Sequence, residues 1–189
     1  MRTTVLARTL MTVSFMILAA APALAQTPPA GGAMSTTPAS GSFLAPVRAT
    51  WDSTRNLVLG LVEAMPEDKW DFKPTPAVRT FREVVQHLVA ENYLFFGRVV
   101  GESRGNPAQN LKTRAELLQA LRESYEYGVK AWEKLNEQNA MELVEGRGGQ
   151  KIQRWSNVLL AIQDNMNHYG NLVVYLRMNG VVPPRSAGR

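Results

Sequence analysis

The strongest constraint on this chain is a spacing. From residue 44 onward, apolar side chains recur three and four positions apart, and they do so in separate, bounded stretches. In the first stretch, Val47, Trp51, Thr54, Val58, Leu61 and Met65 follow one another at 4, 3, 4, 3 and 4 residues. That period puts one stripe along one face of a helix. The helix is expected over Leu44–Met65, and Pro66 stops it because proline has no N–H and clashes with the preceding turn. A second helix is expected from Phe81 to Gly101, opened by Thr80 and Glu83 in the spacing of a capping box. A third runs from Arg114 to Asn139. Thr113 and Glu116 repeat the box, and Leu118, Leu121, Tyr125, Gly128, Trp132 and Leu135 carry the stripe. A fourth starts at a Ser156 cap and ends at Gly180, with Pro183 and Pro184 blocking a restart.

Four such segments predict an all-α four-helix bundle with one shared core. Connections of about 15 residues are long for a minimal bundle, so at least one is expected to cross it. The first connector carries Trp70 and Phe72, which are expected to pack over a bundle end. Strand signals are weak. Glu145-Gly146-Arg147-Gly148-Gly149 has no strand signal ahead of it and reads as a flexible loop, not a phosphate cradle.

Residues 1–25 read as a secretory signal. Arg2 and Arg8 form the charged start, Leu10 to Ala21 the apolar stretch, and Ala23-Leu24-Ala25 a cleavage site before Gln26. Residues 26–42, rich in Pro, Gly, Ala, Ser and Thr, read as a disordered linker. The bundle then occupies 43–186, with a tail at 187–189. A periplasmic or secreted location is expected, without stable membrane insertion once the signal is removed. Loss of Arg2 and Arg8 with the signal takes the net charge from +5 to +3. That balance is too mild to indicate nucleic acid.

The chain has no cysteine. Disulfides, thiolate metal sites and thiol nucleophiles are thereby excluded. Any metal must be held by His, Asp, Glu or backbone. The only histidines are His87 and His168, both inside expected helices. Each has a carboxylate four residues away, Glu91 after His87 and Asp164 before His168. Residues at that spacing share a helix face. Two imidazoles and a carboxylate make a site suited to Zn, Fe(II), Ni or Mn. In the fourth segment, Leu159, Ile162, Met166, Tyr169, Val173 and Leu176 form the cleanest apolar stripe. Asp164 and His168 lie opposite it, flanked by Ala161, Leu172 and Tyr175. The helix is therefore expected to be buried on two sides, with the polar pair in a groove.

Three stretches resemble the DinB-like family. One is the run from His168-Tyr169-Gly170-Asn171 to Pro184, and another is Phe81–Phe95 in the form F-x5-H-L-x4-Y around His87. The third is the connector from Met65-Pro66 to Pro76 with Phe72-Lys73-Pro74. The resemblance covers Phe43 to Ser186. It implies an up-down-down-up bundle, often a homodimer. It also implies a divalent metal, commonly zinc or nickel, on one histidine of the second helix and two of the last. Here those positions hold His87, Asp164 and His168, so one family histidine is an aspartate. Some members are thiol-dependent S-transferases; DNA binding is not implied. The expectation is a metal-dependent hydrolase or transferase of a small molecule. Its metal sits on His87, Asp164 and His168, Glu91 is the catalytic base or a fourth ligand, and Asn171 and Tyr175 line the pocket. The rival expectation is a non-catalytic binding bundle with a degenerate metal site.

Overall fold

The computed structural model describes residues 41–188. The signal expected at 1–25 and the linker as far as residue 40 lie outside them. The long helices are α1 (Leu44–Ala64), α2 (Phe81–Val100), α3 (Arg114–Glu133) and, after a short α4 (Glu137–Ala140), α5 (Ser156–Met178). They pack as a ring in the order α1, α5, α2, α3.

Residue pairs fix the directions. Asn92 meets Ser124, and a side chain on Gly128 would strike Phe96, so α2 and α3 run parallel. His87 faces His168 while Phe81 faces Tyr175, so α2 and α5 are antiparallel. Trp51 lies against Tyr125, and Arg122 reaches back to Glu63, so α1 opposes α3. Phe43 touches Trp155, and Gly60 lies near Pro184, so α1 and α5 are parallel. Read along the chain, the helices go up, down, down, up. The parallel α2–α3 pair forces residues 101–113 to travel back along the bundle, which accounts for the length of that connector.

Both capping boxes form. The Thr80 and Thr113 hydroxyls accept from the Glu83 and Glu116 N–H groups, and each glutamate accepts from its cap residue in return. Ser156 is not a cap; it is the first helical residue, and Trp155 precedes it without a side-chain capping bond. The third helix stops at Glu133 rather than Asn139. Asn136 caps the separate α4 there by accepting from the Asn139 N–H. Trp70 is buried, donates its indole N–H to the Met65 carbonyl at 3.3 Å, and meets Phe81 edge-on at 5.4 Å.

The all-α expectation needs one correction. Leu143–Glu145 (β1) and Lys151–Gln153 (β2) pair antiparallel, with Val144 opposite Ile152. The glycine-rich run is the tip of this hairpin, and Gly148 and Gly149 take the positive φ values of 69° and 77° that its reversal requires. Strands of three residues are too short to show an alternating period.

A second correction concerns α5. Of the regular apolar stripe, Leu176 is buried and Ile162, Tyr169 and Val173 pack against the core edge, but Leu159 and Met166 are 41% and 37% exposed, so burial on two sides is only partial. The buried face is the one with Val158, Ala161, Asn165, His168 and Leu172. The polar pair thus points into the bundle.

Candidate metal centre

Packing of α2 against α5 brings together the residues that helical spacing could only pair within one helix. Asp164 Oδ1 lies 4.0 Å from His87 Nε2 and 3.8 Å from His168 Nε2. The two imidazole rings stand 4.8 Å apart, nearly perpendicular at 76°. One ligand atom from each residue falls within 4.8 Å of the others, and no other such group occurs among the described residues. The Asp164 and His168 side chains are 10% and 11% exposed, whereas His87, at 23%, borders solvent.

The register is set one turn deeper by residues that spacing rules did not single out. Asn165 donates to Asn92 Oδ1 at 2.8 Å and to the Ala161 carbonyl at 2.9 Å. Its own Oδ1 accepts from the Tyr125 hydroxyl at 2.8 Å. Asn92 donates to Ser124 Oγ at 3.0 Å, and Ser124 donates to the Leu121 carbonyl at 2.7 Å. This network ties α2, α3 and α5 at a fixed height, with Asn165 adjacent to Asp164 in sequence. Its only signal in the sequence is polar residues at positions whose neighbours are core.

Whether a divalent ion suits the three residues can be judged from the atoms that converge, one carboxylate oxygen and two imidazole nitrogens. The other polar atoms of two of these groups, Asp164 Oδ2 and His168 Nδ1, are buried without a hydrogen-bond partner. Buried polar atoms are normally satisfied, and leaving one unpaired costs about 1–3 kcal/mol. A carboxylate and two imidazoles are hard and borderline donors of the kind that divalent transition ions prefer. Zinc bonds of about 2.0–2.2 Å would require the three atoms to close by roughly half an ångström. Burial lowers the pKa of His168, and His87 and Arg79 lower it further, against the raising influence of Asp164. The neutral imidazole, which is the ligating form, is therefore favoured. The donor set fits such an ion.

Glu91 falls outside the group. Its carboxylate lies 4.0 Å from Arg147 on the hairpin, and that guanidinium also sits over the Phe95 ring. Asn171 and Tyr175 line a cavity of about 470 Å³ together with His168. The Tyr175 hydroxyl donates to the Arg79 carbonyl at 2.5 Å, so it holds the connector in place.

The ring of helices and the His–Asp–His group between α2 and α5 define a class of helical bundles built around a small polar centre. The chain matches the DinB family over residues 42–188 and belongs to it. The uncharacterized protein YjoA of Bacillus subtilis is 30% identical over 132 residues, which is 68% of this chain and 85% of that protein. Among solved structures, a DinB-like protein from Bacillus cereus superposes with a TM-score of 0.66 at 13% identity, over 73% of this chain and 93% of that one. The YjoA structure gives 0.59 at 22% identity, over 71% and 92%. A conserved protein from Enterococcus faecalis gives 0.57 at 13%, over 73% and 97%. At these identities the structural likenesses establish the fold.

Proposed function

We propose that this chain is an exported DinB family protein that holds one divalent metal on His87, Asp164 and His168 and acts as a metal-dependent hydrolase or transferase of a small molecule. The observation that carries the reading is the convergence of His87 Nε2, Asp164 Oδ1 and His168 Nε2 between α2 and α5. Zinc or nickel suits the donor set best, and iron(II) or manganese follows. When bound, such an ion supplies Lewis acidity to a substrate carbonyl or to water.

The chain's own residues supply the rest. His87 borders solvent and faces the approach, while Asp164 and His168 anchor from the interior. The Asn171 side chain offers an amide donor and acceptor at the cavity wall beside His168. Glu91, one helical turn beyond His87 and 4.0 Å from Arg147, is the candidate base. The signal read in residues 1–25 supports export, and no helix among the described residues is long and apolar enough to cross a membrane.

Metal analysis of the purified protein, with thermal melts before and after chelation, tests the metal reading. Wild type is expected to retain about one equivalent and to lose stability on chelation; His168→Ala is expected to do neither. Equal trace metal and equal melts in both proteins would favour the non-catalytic bundle. Export is tested by N-terminal mass analysis of the protein recovered from the periplasm or medium, where a start at Gln26 is expected.

A further inference from the structure

The cavity beside His168 has one wall that the metal reading does not use. Arg79 lines it, together with Pro74, Val78, Val84 and Val174, which are apolar. Its backbone is clamped on both sides. Tyr175 binds its carbonyl at 2.5 Å, and the next residue, Thr80, is locked in the capping box of α2. Its guanidinium makes no ion pair or hydrogen bond among the described residues. Arg82, three positions on, is by contrast paired with Asp71 at 2.7 Å. Glu83, the nearby acid, is committed to the Thr80 N–H at 2.7 Å. An exposed guanidinium with no partner among the described residues thus lines the same cavity as His168.

We propose that this cavity binds a small organic carboxylate, its anionic group paired with Arg79 and its apolar body laid against Val84 and Val174, so that its far end reaches His168. A guanidinium fork matches a carboxylate in two parallel hydrogen bonds. Among the described residues, Arg79 is the one cation lining the cavity, and that single charge, with Asp164 and Glu83 in the neighbourhood, suits a monoanion better than a phosphate dianion. The apolar walls suit a hydrocarbon body. The part played by the far end rests on the metal reading above; anion binding at Arg79 does not.

The test is a chemical-shift titration of the ¹⁵N-labelled, metal-free protein with hexanoate, hexanamide and inorganic phosphate, repeated on Arg79→Gln. Zinc binding is measured on both proteins. Hexanoate is expected to bind at least tenfold more tightly than hexanamide or phosphate, with shifts at the Val78, Asn171 and Val174 amides. Arg79→Gln is expected to abolish that preference while leaving zinc affinity unchanged. Equal binding of hexanoate and hexanamide, a preference that survives Arg79→Gln, or tighter binding of phosphate would overturn the proposal. Failure of wild type to bind zinc with the hexanoate preference intact would overturn the metal reading alone and leave the anion subsite standing.

Discussion

Two polar clusters lie along the seam between α2 and α5, about one turn apart, and they differ in one respect. Asn92, Ser124, Tyr125 and Asn165 are fully buried and close their hydrogen bonds on one another and on main-chain carbonyls. In the His87, Asp164 and His168 group, Asp164 and His168 each leave one buried atom unpaired, and His168 borders a cavity. A closed network lowers the energy of the fold by itself and fixes register. An open one costs the fold stability until something binds. The same helix pair therefore carries both a structural lock and a donor set with the chemistry of a metal site, and the first positions the second.

The sharpest way to break this comparison is to open the closed cluster. Asn165→Ala removes bonds to Asn92 and Tyr125 and leaves both partners buried and unsatisfied. It should cost about 3 kcal/mol in urea unfolding, as the sum of a small cavity and stranded polar groups. It should also weaken zinc binding, because the register of α5 on α2 loosens. A loss below about 1 kcal/mol would mean that water or a rearranged partner satisfies the site.

Closing the open cluster with an ion comes next in size. Zinc at a hundred times its dissociation constant should stabilise the native state by about 2.7 kcal/mol, read as a rise in melting temperature that chelation reverses. Neither His87→Ala nor His168→Ala should show that rise.

Asp164→Asn in the metal-free protein should have a smaller effect, opposite in sign to that of Asn165→Ala. It removes a carboxylate that is mostly buried and unpaired at one oxygen. Metal-free stability should stay level or rise by up to about 1 kcal/mol, while zinc binding is lost. A marked loss of stability would assign Asp164 to the structural lock instead.

The smallest effect is expected from Glu91→Gln. Its ion pair with Arg147 spans 4.0 Å at the edge of solvent. Such pairs are worth about 0–1 kcal/mol, so unfolding should shift by no more than that, and zinc affinity should not change. A drop in zinc affinity would restore Glu91 as a ligand.

Much of this arrangement was legible in the sequence because it is local. Stripes at three- and four-residue spacing located the long helices, and the Thr80–Glu83 and Thr113–Glu116 boxes fixed two starts. The Asp164–His168 spacing placed two ligands on one helix face, the lack of cysteine left His87 as the other candidate, and the family resemblance joined the three. The rest depends on contacts between distant segments. Which side of α5 faces inward could not be read from a helix apolar on two sides; the outward Leu159 and Met166 stripe was the more regular one. Asn92 and Asn165 read as ordinary polar residues until the antiparallel packing makes them partners. Arg79 belongs to a connector, and only the Tyr175 clamp brings it to the cavity. The hairpin was invisible because three residues per strand carry no period.

The central claim is that one ion draws together a histidine of α2 with an aspartate and a histidine of α5. X-ray absorption at the zinc edge of the loaded protein tests it directly. The account predicts a first shell with two imidazoles and carboxylate oxygen, falling to one imidazole in His87→Gln and in His168→Gln alike. A wild-type shell with fewer than two imidazoles, or a shell that neither substitution changes, would contradict it.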